Sequence, residues 1–192
     1  MAVSFNKPKP LNLEIELDSK RYIVSKTDTK GVITFANQYF VKVSGYAESE
    51  LVGKPHNIIR HPDMPKIIFK MMWDRIQNGQ NIMAVVKNLA KDGRYYWVIT
   101  NFEIERDEKT NEITGYIAYR RAASKTTIES LKPMYKELVE AEKTGGMEAS
   151  EELLMKMLKD RKMSYNDFVN NEMEKSNLKG VFGGLLGKLF NK

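Results

Sequence analysis

Apolar residues recur along this chain in two rhythms, a period of two that marks strands and a period near 3.6 that marks helices. "YIVSKTD" from Tyr22 alternates, "TKG" supplies a turn, and "VITFA" follows with β-branched and aromatic residues, the signature of a hairpin. "NQYFVKVSG" then sets Phe40, Val41 and Val43 on a short helix that stops at Gly45, and "AESEL" at 47–51 adds another helical piece. In "KIIFKMMWDRIQNG" the apolar positions Ile67, Ile68, Met71, Met72 and Ile76 take helical spacing and end at Gly79. The runs "NIMAVVKNLA", "RYYWVITNFEIER" and "ITGYIAYRRA" read as further strands, separated by turn signals at "KDG" and "DEKTNE". A hairpin, a helical insert and a run of strands make a single antiparallel sheet, an α+β arrangement. The inserted helices must cover one sheet face, so a ligand site is expected between them and the strands.

Beyond residue 123 the pattern is helical. "TTIESLKPMYKELVEAEK" opens with Thr126 and Glu129 at capping-box spacing, carries Ile128, Leu131, Tyr135 and Leu138 on one side, and is expected to kink at Pro133 and end at Gly145–Gly146. Ser150 is the expected cap of "EELLMKMLKDRK" and Ser164 that of "YNDFVNNEMEK". The tail "LKGVFGGLLGKLF" repeats Leu178, Val181, Phe182, Leu185, Leu186, Leu189 and Phe190 at helical spacing, but each glycine among them costs about 1 kcal/mol in a helix. Such a segment orders itself against a receptor, a membrane surface or its own helices.

Composition narrows the chemistry. At 192 residues, with 42% hydrophobic and 29% charged, the chain fits one ordinary domain with an appendage. The absence of cysteine excludes disulfides, thiolate metal sites, cysteine nucleophiles and photochemistry through a cysteine–flavin adduct. No signal peptide and no apolar run near the roughly 20 residues that span a bilayer are present, so a cytoplasmic location is expected. The net charge of +6 is spread among acids instead of gathered in a stripe, which argues against nucleic acid. The chain has no phosphate loop, no HExxH pair and no nucleophile elbow, and an enzyme is not expected.

The scarce chemistry gathers in "HNIIRHPDMP", residues 56–65, which holds both histidines. Arg60 can offer its donor fork to a phosphate or a carbonyl, and Asp63 can orient Arg60 or His61. Pro62 and Pro65 break any continuous helix through the motif and shape a turn. The same residues can instead only fix the loop, with His61 capping a helix and Arg60 paired to Asp63.

The stretch "TDTKGVITFANQYFVKVSGYAESELVGKPHNIIRHPDMP", followed by "MW" and "VKN", resembles the PAS domain of the bacterial aerotaxis receptor family, over residues 20–123. "HNxxRHPDMP" is the most specific part of the resemblance. It implies a PAS fold, a five-stranded antiparallel sheet with short helices over one face, here followed by a C-terminal helical extension. It also implies FAD as cofactor. Residue by residue, the family motif places Arg60, His61 and Asp63 at flavin-binding positions, with His56 matching beside them. Asn37 and Asn88 fall at family positions suited to hydrogen bonds with the flavin's mixed edge. Trp73 and Phe69 are candidate pocket walls, and Ile82 stands where many members carry tryptophan.

The resulting division is an N-terminal cap segment at 1–19, the PAS sensor at 20–123, a helical signalling extension at 124–176 and a Gly-rich amphipathic tail at 177–192. The chain is most similar to the stand-alone PAS partner of split energy-taxis systems. The implied function is a cytoplasmic redox sensor that relays flavin state to a membrane chemoreceptor with HAMP and signalling domains. A second copy of the chain and, through the tail, the membrane surface are further candidate partners. Haem with His56 or His61 as axial ligand, another small ligand, and a cofactor-free interaction module are the alternatives.

Overall fold

The computed structural model describes residues 7–175. The tail at 177–192 lies outside them. The described chain divides into two compact units, one running to Met64 and resuming over Ile68–Ala122, the other joining Pro65–Ile67 to the residues from Ala123 onward.

The first unit is built on strands β1 (Ile23–Asp28), β2 (Ile33–Ala36), β3 (Met83–Leu89), β4 (Tyr95–Arg106) and β5 (Ile113–Ala122). All neighbours are antiparallel, in the order β2-β1-β5-β4-β3, so the first and last strands meet in the middle of the sheet. Between β2 and β3 the chain makes helix α1 (Gln38–Ser44), helix α2 (Glu48–Leu51), a 3-10 turn at His56–Ile59 and helix α3 (Lys66–Gln77). The N-terminal segment lies along the β3–β4 hairpin, with Leu11 N–H donating to Gly93 C=O and Ile15 N–H to Tyr95 C=O.

Local chemistry explains these elements. Asn37 caps α1 by accepting the Phe40 amide, and Gly45 ends the helix in the left-handed conformation. Pro55 precedes the 3-10 turn and Pro65 directly precedes α3, so the prolines separate short helices in the motif. Register decides which strand residues share a face. Ser25 pairs with Ala118, Thr100 with Arg120, Phe102 with Ala118, and Asn88 with Tyr96. Ser25, Thr27, Asn88, Tyr96, Thr100, Tyr116 and Arg120 thereby lie on one buried face.

The second unit holds helices α4 (Lys125–Asp160) and α5 (Tyr165–Lys175). The cap of α4 is Ser124, which accepts the Thr127 amide, and not Thr126 as the capping-box spacing suggests; a serine just after the last strand captures the first free amides earlier. Within α4 the backbone leaves helical geometry at Gly146, while Pro133 sits inside the helix without such a break. Ser150 is fully buried with its hydroxyl unpartnered and does not cap the following segment. Ser164 does cap α5, exchanging hydrogen bonds with Asp167. Leu131, Leu138, Leu154, Phe168 and Val169 are buried, and the Tyr135 and Tyr165 hydroxyls share a 2.6 Å hydrogen bond.

Candidate cofactor-binding site

The motif at 56–65 runs beside the sheet and divides its side chains between two environments. His56 turns its ring toward the buried face, stacked on Phe40 with centroids 5.9 Å apart. Its Nε2 lies 2.9 Å from an Arg120 terminal nitrogen and 3.1 Å from Ser25 Oγ. A guanidinium only donates, so this Nε2 accepts and the imidazole is neutral. Burial, reinforced by the Arg120 charge, holds its pKa well below the ordinary range.

Arg60 forms a bridge with Asn88 on the edge strand β3, and bridged residues project to the same side. Its guanidinium lies 4.4 Å from the Phe69 ring centroid and donates to the Met64 carbonyl at 3.3 Å. Lys7 donates to the Arg60 carbonyl at 3.0 Å, bringing a second cation to this part-buried rim. Burial first and the Arg60 charge second lower the Lys7 pKa.

His61 is buried, edge-on to Tyr95, and its Nδ1 accepts the Asp63 amide at 3.1 Å. Asp63 is exposed and its carboxylate meets Lys87 at 2.7 Å, while Lys87 also covers the Tyr95 ring. Tyr95 and Lys87 alternate with Tyr96 and Asn88, so His61 and Asp63 stand on the side opposite the buried polar face. Arg60 and Asn88 are brought to that face together with His56, whereas His61 and Asp63 buttress the turn from behind.

Asn37 directs its amide to the backbone: the oxygen accepts from Val24 and Phe40 amides, and the nitrogen donates to the Tyr22 carbonyl. Trp73 stands edge-on to Tyr116 at 5.8 Å and covers Gly31, where a Cβ would fall 2.7 Å from the indole. It closes the end of the helix-covered face near the β1–β2 turn. Ile82 is buried just before β3. Phe69 lies under Arg60 at the rim.

Sequence reasoning missed the most distinctive part of this site. Arg120, only 4% exposed, donates to Ser25 Oγ at 2.9 Å and approaches His56, and among the described residues no carboxylate forms an ion pair with it. Burial lowers its pKa to about 10. On the same face Tyr96 and Thr100 bury their hydroxyls with no hydrogen-bond partner. Burial raises the Tyr96 pKa, opposed first by the Arg120 charge and then by nearby Asn88, whose amide does not satisfy the hydroxyl geometrically. The available signal was parity: in "ITGYIAYRRA", Arg120 shares the inward phase of Tyr116 and Ala118.

An uncompensated buried guanidinium and orphaned hydroxyls suit a ligand with an electron-rich edge. Phe40 and Trp73 bring aromatic rings to this face, and Arg60 with Lys7 supplies positive charge at the rim. These are the features a flavin dinucleotide needs, and the residues present fit it.

Comparison with known proteins agrees with this architecture. Residues 33–118 match the PAS fold family. The aerotaxis receptor of Escherichia coli is 44% identical over 117 residues, covering 60% of this chain and 22% of the receptor. Biofilm dispersion protein BdlA of Pseudomonas aeruginosa is 28% identical over 81 residues, covering 42% of this chain and 19% of its own length. The chain thus spans about a fifth of the length of these relatives. Among solved structures, the light-state blue-light photoreceptor Aureochrome1 LOV superposes with a TM-score of 0.51 at 21% identity, covering 57% of this chain and 87% of that one. A light-oxygen-voltage domain studied with a flavin analogue superposes with a TM-score of 0.52 at 22% identity, covering 60% and 87%. The sheet unit of this chain has the PAS fold, matched over residues 33–118, and is similar in sequence to part of the Escherichia coli aerotaxis receptor.

Proposed function

We propose that the PAS unit binds FAD and that the chain is a cytoplasmic redox sensor, not a catalyst, reporting to a membrane chemoreceptor with HAMP and signalling domains. The observation that carries this reading is the buried polar face: a guanidinium without a carboxylate, beside hydroxyls without partners. Homology to an aerotaxis receptor supports a redox role and a chemotaxis partner. Bound FAD would supply a redox centre whose ring edge changes charge and hydrogen bonding with electron count.

The chain's own residues supply the rest. Arg60, with Lys7 beside it, would hold the phosphates at the rim, where solvent helps carry their charge. Asn88 and Tyr96 present an amide and a hydroxyl on the buried face, able to donate or accept as the ligand demands. His61 and Asp63 keep the turn that carries Arg60 in place through Lys87 and Tyr95. Phe40, Trp73 and the aliphatic residues exclude water. A rearrangement on the buried face is transmitted along β5, which carries Arg120 and continues directly into the Ser124 cap of α4. A coupling of about 1–3 kcal/mol between redox states is sufficient to bias a partner. Haem ligation through His56 Nε2 would require Arg120 to leave that nitrogen, which favours the flavin reading.

The test is the absorption spectrum of freshly purified protein, oxidised and reduced, with extraction to separate FAD from FMN. Flavin bands with FAD in the extract are expected, and Arg60→Gln should lower occupancy without altering the far-ultraviolet circular dichroism. A colourless protein that takes up no added FAD overturns the reading.

A further inference from the structure

Arg120 is an electrostatic anomaly. A guanidinium in the sheet's central strand loses most of its hydration, at an effective cost of several kcal/mol, and proteins ordinarily offset this with a carboxylate. Here its hydrogen-bond partners are neutral: Ser25 Oγ at 2.9 Å, the acceptor nitrogen of His56 at 2.9 Å and the Ala118 carbonyl at 3.5 Å. Thr100 sits directly across the strand pair from Arg120 and leaves its hydroxyl unpartnered, as does Tyr96 on the same strand face. Fully buried hydroxyls left without partners beside a buried cation form a donor set that lacks its acceptor.

We propose that Arg120, flanked by Tyr96 and Thr100, receives the electron-rich carbonyl and ring-nitrogen edge of the bound flavin and makes the site favour the reduced cofactor. This assignment rests on the flavin reading above and divides the ligand between two cations: Arg60 at the part-exposed rim and Arg120 in the interior. The pyrophosphate does not suit Arg120, since its multiple charges would stay underpaired beside one buried cation and neutral hydroxyls. The ring edge does, because it is neutral or singly charged and gains negative charge when electrons are added. His56 and Ser25 hold the guanidinium in place while it is without that partner, and Arg120 in turn keeps His56 neutral. Positive charge near this edge stabilises the reduced form, so Arg120 is a potential-setting residue as well as a ligand contact.

The experiment titrates FAD into the ligand-free full chain and its Arg120→Gln and Arg120→Lys variants, followed by flavin fluorescence, redox titration and thermal melting. In ligand-free Arg120→Gln, melting should occur no lower than in the wild type, because an uncompensated charge has been removed. Its affinity for oxidised FAD should fall at least tenfold. Its preference for the reduced form should fall at least another tenfold, which lowers a two-electron midpoint by about 30 mV. Arg120→Lys, which keeps the charge, should recover most of that potential. A structural arginine would give the reverse pattern: a lower ligand-free melting temperature with unchanged potential. If Arg120→Gln does not fold, Tyr96→Phe and Thr100→Val decide the matter: each should weaken FAD at least threefold without lowering ligand-free stability, and unchanged affinity in both overturns the assignment. A wild-type chain that binds no FAD overturns the flavin reading and this assignment with it. Wild-type binding with an unaltered Arg120→Gln potential and affinity overturns this assignment alone.

Discussion

Asn37 and His61 show how the same residue types that suggest ligand chemistry also hold a turn. Asn37 caps α1 and ties Val24 and Tyr22 of the first strand region to that cap. Asn37→Ala should therefore cost about 1–2 kcal/mol, measured as a lower urea midpoint with an unchanged slope. His61 is a stability statement about pH. Burial first, then the Lys87 charge, lower its pKa to about 4, with Asp63 opposing the shift. The unfolded chain therefore binds a proton, at its ordinary pKa of about 6.5, before the folded chain does. Its contribution is complete above that value and is lost as pH falls from about 6.5 toward about 4. His56 shifts the same way through burial and Arg120. Melting temperature measured between neutral and mildly acidic pH should fall in wild type and fall less steeply in His61→Gln. Equal slopes would remove the argument.

Elements in this protein are punctuated by glycines in backbone conformations that other residues rarely take. Gly31, in the turn between β1 and β2, has φ of 79° and stands under Trp73. Gly31→Ala adds backbone strain and a collision with the indole, and should cost about 1–3 kcal/mol while changing tryptophan fluorescence, since Trp73 must move. Gly146, with φ of 73° and ψ of −168°, breaks α4 where a Cβ would meet open space. Its substitution by alanine is opposed by backbone conformation alone, by about 1–3 kcal/mol, and a lower urea midpoint should record it. The break falls at the paired glycines that the sequence marks as a helix end. The caps were less legible. Ser124 won over Thr126 because cap choice depends on where β5 releases the chain, and Ser150 became buried because helix ends are set by φ and ψ as well as by side chains.

For the whole molecule, relay requires the sheet unit and α4 to feel the same event through β5. Amide exchange in residues 124–131 should change between the oxidised and reduced FAD-loaded protein, whereas exchange in α5 should change less. Identical exchange in that first segment would sink the relay without touching cofactor binding. No helix among the described residues is long and apolar enough to cross a bilayer.

Periodicity alone determined the strands, the inserted helices and the helical extension, because alternation and 3.6-residue spacing are local properties that burial on one face imposes on every strand and helix. The motif at 56–65 was likewise visible as composition. Only the tertiary structure decided that His61 and Asp63 face away from Arg60 and Asn88, since that follows from a single bridge between the turn and the edge strand. It also assembled Ser25, His56, Tyr96, Thr100 and Arg120 from β1, the 3-10 turn, β4 and β5. Antiparallel register makes neighbours of residues far apart in the chain, and a lone arginine in a strand shows its missing counter-charge only once every residue around it is in place.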